Sequence, residues 1–131
     1  MNFNLIARLA ALAALAAATG AAAAAAPAAD LASAKTLATN HCAVCHTFGK
    51  DEPPGQGPNL FNIVGRKAGA AEGFTYSDGF KKALAGQTWD ARLLDKWLAD
   101  TQAVAPGSGM VYAQDDAAKR KKLIRFLESL R

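Results

Sequence analysis

Cysteine, histidine and methionine are scarce in this chain: of its 131 residues, two are cysteines, two histidines and two methionines. Each scarcity removes a class of protein. Two cysteines cannot build a disulfide framework. With His41 and His46 as the only imidazoles, a closed four-ligand zinc site cannot be assembled without carboxylates. No stretch alternates apolar and polar residues with period two, which argues against a sheet-based fold. There is no internal repeat. Basic residues outnumber acidic ones only by 15 to 11, short of a nucleic-acid footprint but suited to acidic patches on a protein partner.

The one long apolar run stands at the amino terminus. Met1 to Arg8 carries one basic and no acidic residue, Leu9 to Ala18 is Ala/Leu-rich, and Thr19 to Ala29 offers several A-x-A cleavage sites. This pattern reads as a secretory signal peptide over residues 1–26, cut between Ala23 and Ala29. A retained anchor is the alternative, because Leu5 to Ala26 is almost long enough to span a bilayer. Its alanine richness and the Thr19-Gly20 interruption weigh against stable membrane insertion. On either reading Cys42 is exported, and the periplasm is the expected compartment. Residues 30–131 then form one domain of roughly a hundred residues, small enough to benefit from a covalent staple.

That domain reads as all-α. Asp30 can cap a first helix carrying Leu31, Ala34, Leu37 and Ala38 at helical spacing. Pro53-Pro54-Gly55-Gln56-Gly57-Pro58 forbids regular structure, and glycines punctuate 65–73. Ser77-Asp78 can start a short helix that Gly86 stops. Thr88 or Asp90 opens a helix with the stripe Ala91, Leu94, Trp97 and Leu98, ending before Pro106-Gly107. Asp115-Asp116 caps a last helix in which Leu123, Phe126, Leu127 and Leu130 share a face.

Both cysteines lie in Cys42-Ala43-Val44-Cys45-His46, the Cys-x-x-Cys-His spacing of c-type haem attachment. Two thiolates add to the vinyl groups of the macrocycle, and the histidine that follows ligates the iron. A thioredoxin-like redox pair is the bland alternative, but such a pair opens a helix within a βαβ pattern that is missing here. The second iron ligand decides the function: a closed six-coordinate iron passes electrons, whereas an open position invites peroxide or nitric oxide. Met110 is the one methionine besides Met1 and sits in a Pro/Gly loop outside the apolar stripes, which points to ligation over gap-filling. His41, next to Cys42, reads as a surface or capping residue.

In its order of motifs the chain resembles a class I cytochrome c of the mitochondrial and alphaproteobacterial type. The likeness runs through Cys42 to Thr47, Gly57-Pro58-Asn59-Leu60, Gly65 to Gly69, Gly73 to Ser77, Trp89, Pro106 to Met110, and Leu123-Ile124 with Phe126-Leu127. It implies a small fold of about four helices with long loops wrapped around one covalent haem c, held through Cys42 and Cys45, with the first and last helices packed together. It further implies His46 and Met110 as iron ligands, Pro58 offering its carbonyl to His46, and Arg66, Tyr76, Trp89 and Ser108 supporting the propionates. The expected protein is a monomeric electron carrier and no enzyme. It would dock transiently, through a rim with Lys50, Lys67, Lys81 and Lys82, on a quinol-cytochrome c reductase and on a terminal oxidase or reaction centre.

Four positions depart from the family pattern. Trp97 replaces a tyrosine near the methionine sulfur, Gly109 replaces a lysine, and Ala34 and Ala38 stand where glycine and phenylalanine are common. The basic run Lys119 to Lys122 either extends the docking surface or forms a solvated helix face.

Overall fold

The computed structural model describes residues 18–131, with side chains from residue 27 onward. Most of the expected export segment lies outside the described residues. Five helices occur among them: α1 (Ala18–Cys42), α2 (Asp78–Leu84), α3 (Ala91–Ala99), α4 (Thr101–Val104) and α5 (Ala117–Ser129). The only strand-like pairings among the described residues are two isolated bridges, Lys67 with Thr88 and Asp100 with Ala113, so the all-α reading holds. The extra helix is α4, a single turn: the one helix expected to end before Pro106-Gly107 stops at Ala99 and restarts after Asp100.

Helix boundaries follow local chemistry where a capping side chain reaches a free amide. Asp90 accepts the Leu93 N–H at 2.6 Å at the head of α3, and Asp116 accepts from Ala118 and Lys119 at 2.8 and 3.2 Å at the head of α5. Asp100 opens α4 in the same way, bonding Gln102 and Ala103. Two expected caps serve other ends. Asp30 lies inside α1, because the alanine-rich stretch before it is strongly helix-forming and carries the helix back to Ala18. Its carboxylate pairs with Arg125 of α5. Ser77 precedes α2 without capping it.

The first and last helices pack against each other. Ala34 and Ala38 are wholly buried in the same core as Leu123, Phe126 and Leu127, so small side chains let α1 settle closely there. Phe48 lies edge-on to Phe126 with ring centroids 5.1 Å apart, supplying an aromatic partner that the helix itself lacks. On α3 the predicted stripe is buried except at its first residue: Leu94, Trp97 and Leu98 face inward, whereas Ala91, in the first turn, is exposed. Within the basic run, Arg120 turns onto Asp95 at 2.8 Å and onto the Gln114 and Asp115 carbonyls, whereas Lys119, Lys121 and Lys122 stay exposed.

Between α1 and α2 the chain has no helix and is ordered by side chains bonding backbone. The Asn59 amide nitrogen lies within bonding distance of the Gly49 and Glu52 carbonyls and the Thr47 hydroxyl, at 2.8 to 3.0 Å. Glu52 accepts the Phe48 and Gly49 amides. These bonds fold the segment after the Cys motif, 47–59, back on itself.

Candidate cofactor site

Cys42 closes α1, and the rest of the Cys motif forms the turn by which the chain leaves it. The carbonyl of Cys42 accepts both the Cys45 amide at 3.1 Å and the His46 amide at 2.9 Å, so one tight turn presents two thiols and an imidazole together. Burial, with Cys45 beside it, pushes the Cys42 thiol up to about 11. A redox Cys-x-x-Cys works through a lowered thiol pKa, and a raised one at Cys42 speaks against the thioredoxin alternative.

His46 is oriented by the proline loop. Its Nδ1 lies 2.7 Å from the Pro58 carbonyl oxygen; that oxygen can only accept, so Nδ1 carries the proton and Nε2 keeps a free lone pair. Burial lowers the His46 pKa, opposed by the Pro58 bond, and favours the neutral, ligating form. The loop reaches this position through the Gly57 amide, which donates to the Cys45 carbonyl at 2.8 Å.

Cys42, Cys45, His46, Pro58, Arg66, Tyr76, Trp89, Ser108 and Met110 all line one cavity of about 910 Å³. Its walls include Leu60, Ile63, Phe80, Leu94, Trp97 and Leu98. Such a size and apolar lining with few polar groups suit a cofactor. Arg66 donates to the Phe61 and Asn59 carbonyls at 3.1 and 2.8 Å, yet its Nε is buried without a partner. Burial lowers its pKa, opposed by Tyr76. Tyr76 stacks on Phe80 at 4.6 Å and accepts the Ala71 amide, and its own pKa is raised by burial. Its hydroxyl proton remains free to donate.

Met110 is half-buried and its loop is pinned from several sides. Its amide donates to the Ser108 hydroxyl at 3.3 Å, so Ser108 supports the methionine loop in addition to lining the cavity. Ser77, idle as a cap, accepts the Gly109 amide at 3.0 Å. Among the described residues no hydrogen bond joins Trp97 to Met110; the Trp97 ring meets Phe80 edge-on at 5.6 Å and Trp89 at 5.7 Å. His41 is neither a cap nor free at the surface. Its Nδ1 lies 3.2 Å from the Tyr112 hydroxyl, and both residues line the cavity.

Sequence reasoning placed Gly57 in a motif without giving it a role, and passed over Gly79, Thr101 and Gln102. A Cβ at Gly79 would fall 2.4 Å from the Pro106 carbonyl oxygen, so the missing side chain lets α2 meet the methionine loop. No periodic pattern reports such an approach. None of the four rim lysines lines the cavity. Lys81 instead bonds Asp78 at 2.8 Å. The large apolar side chains most exposed among the described residues are Val44 and Val111, at 83% and 82%, and both line the cavity.

These residues fit haem c. Two thiols and an Nε2 lone pair lie in one turn, the walls are apolar, and the orphaned Arg66 Nε and the free Tyr76 hydroxyl proton supply donors of the kind buried propionates need.

The comparisons agree with this chemistry. The family model described as Cytochrome c matches residues 31–131. Cytochrome c2 of Rhodomicrobium vannielii is 44% identical over 87 residues, covering 66% of this chain and 68% of its own. Cytochrome c2 iso-2 of Magnetospirillum molischianum is 42% identical over 96 residues, covering 69% and 91%. Among solved structures, cytochrome cH from Methylobacterium extorquens superposes with a TM-score of 0.67 at 38% identity, over 75% of this chain and 96% of that one.

Proposed function

Since this chain belongs to the class I cytochrome c family, whose members hold haem c covalently and carry electrons, we propose that it shuttles single electrons with His46 and Met110 as the two iron ligands. The observation that supports this pair is their common cavity with Cys42 and Cys45, together with the His46 Nδ1 proton committed to Pro58.

Haem c supplies a one-electron ferrous/ferric couple. Cys42 and Cys45 would hold it by thioether bonds, His46 through Nε2 and Met110 through its sulfur. The soft Met110 thioether favours the ferrous state, and so do apolar walls such as Leu94 and Leu98, which disfavour added positive charge. Arg66, Tyr76, Trp89 and Ser108 would hold the propionates and balance their charge. Pro58, Thr101 and Gln102 hold the two ligand-bearing segments in place, so little rearranges on electron transfer and the barrier stays low.

The exported chain works in the periplasm on this reading, with residues 1–26 as its signal peptide. No helix among the described residues is long and apolar enough to cross a membrane. The cavity mouth, where Val44 and Val111 stand exposed, would meet a quinol-cytochrome c reductase as donor and a terminal oxidase or photosynthetic reaction centre as acceptor. Lysines farther from the mouth would steer encounter and make it salt-sensitive.

An absorption spectrum with a redox titration of the purified holoprotein tests the assignment. The expected result is a low-spin spectrum, a weak red sulfur-to-iron band in the ferric form, a positive potential, and loss of that band in Met110→Ala. Rapid carbon monoxide binding by the ferrous protein at neutral pH would overturn it.

A further inference from the structure

The methionine loop contains Pro106, Gly107 and Gly109, and glycine leaves a loop many conformations to lose on ordering. What orders this one comes largely from α4. Thr101 is wholly buried. Its hydroxyl lies 2.9 Å from the Met110 carbonyl and 3.2 Å from that of Tyr112, while it accepts the Tyr112 amide at 3.0 Å. Gln102 engages the loop with its whole side-chain amide. Its nitrogen donates to the Ser108 carbonyl at 3.0 Å and to the Met110 carbonyl at 2.7 Å, and its oxygen accepts the Gly107 amide at 3.2 Å.

The Met110 carbonyl therefore faces two donors one residue apart on α4, and Asp100 fixes α4 by capping it. No other side chain bonds the 107–110 backbone at three points among the described residues.

We propose that Thr101 and Gln102 form a clamp that positions Met110, Gln102 being the positioning residue that sets how readily an outside ligand displaces the methionine sulfur. The clamp rests on the reading of Met110 as an iron ligand. It acts through the backbone, so it governs the closed state of the iron and leaves the core alone. Gln102 is half-buried and joins no core cluster; its loss removes two donated bonds and one accepted bond from the loop.

The test is imidazole binding to the ferric holoprotein, followed by the sulfur-to-iron band, in the wild type, Gln102→Ala, Gln102→Glu and Asp116→Ala. Gln102→Ala is expected to bind imidazole about tenfold more tightly, the scale set by losing three hydrogen bonds, each at the low end of its usual net contribution. Gln102→Glu is expected to bind it at least as tightly as Gln102→Ala, because a carboxylate cannot donate to the Ser108 and Met110 carbonyls. Asp116→Ala loosens α5 away from the loop and controls for general destabilisation; its imidazole affinity is expected to match the wild type. Equal affinity in the wild type and both Gln102 variants overturns the clamp, as does an Asp116→Ala gain equal to theirs. A wild type that lacks the sulfur-to-iron band overturns the Met110 ligation itself, so the two failures are distinct.

Discussion

The imidazole of His46 lies so close over Gly57 that a Cβ on Gly57 would fall 2.4 Å from its Cε1 and 2.7 Å from its Nδ1. Glycine is required here by this approach, since Gly57 does not take up a left-handed backbone. Gly57→Ala must move either the ring or the loop that holds it, and Nδ1 is the atom bonded to Pro58. The expected outcome is a holoprotein destabilised by about 1–3 kcal/mol, the usual effect of overpacking, with a perturbed low-spin spectrum. Denaturant titration and the visible spectrum of the variant check it.

Arg66→Gln removes a cation together with donors to the Asn59 and Phe61 carbonyls. Loss of hydrogen bonds from a charged group is expected to lower stability by about 2 kcal/mol. Removing positive charge from the cavity also eases formation of the more positive ferric iron, so the potential should fall. A redox titration showing an unchanged or raised potential would count against Arg66 as a propionate partner.

Part of this architecture is legible in the sequence, and the division has a physical basis. Asp90 and Asp116 cap helices two or three residues away, and Leu94, Trp97 and Leu98 recur at helical spacing, so both signals are local. Ser77 bonds Gly109, an amide 32 residues distant, and Asp30 answers an arginine 95 residues away. Such partners leave no periodic trace. His41 differs from its expected place for the same reason, its partner Tyr112 lying 71 residues along the chain. The Cys motif stands out because thioether attachment and iron ligation call for those residue types, and Met110 because of its Pro/Gly loop; Pro58 and Arg66 stand out only through the family resemblance, whereas Thr101 and Gln102 bond backbone carbonyls, a task many polar residues can perform.

Burial raises the Tyr76 pKa, opposed by the Ala71 amide and Arg66. Between the unfolded value near 10 and the higher folded value, the folded chain holds the phenolic proton that the unfolded chain has released. Tyr76 thus contributes stability that is fully present below pH 10 and is lost as pH rises through the folded value. Denaturant midpoints of the wild type and Tyr76→Phe are expected to converge as pH rises above 10. A gap that widens over this range would contradict the sign.

Replacing Cys42 and Cys45 together by serine denies the cavity its covalent occupant. At about 24 cal/mol per Å³, leaving a 910 Å³ space unfilled costs on the order of 20 kcal/mol as an upper bound, because the mouth admits water. Domain stabilities are about 5–15 kcal/mol, so a fraction of that bound is enough to unfold much of the chain. Circular dichroism of the double variant is expected to show most helix lost, with recovery only when the group is supplied.

Three carbonyl oxygens hold the ligand-bearing segments: Cys42 ties the motif turn, Pro58 holds the histidine, and Met110 receives the α4 donors. Side-chain substitution leaves a carbonyl in place. A conventional alanine scan would therefore score position 58 as tolerant while its oxygen went on gripping His46, and would report only the donors at 46, 101 and 102. The joints of this protein are better mapped by amide-to-ester replacement, which weakens the acceptor oxygen at a chosen peptide bond and leaves every side chain untouched.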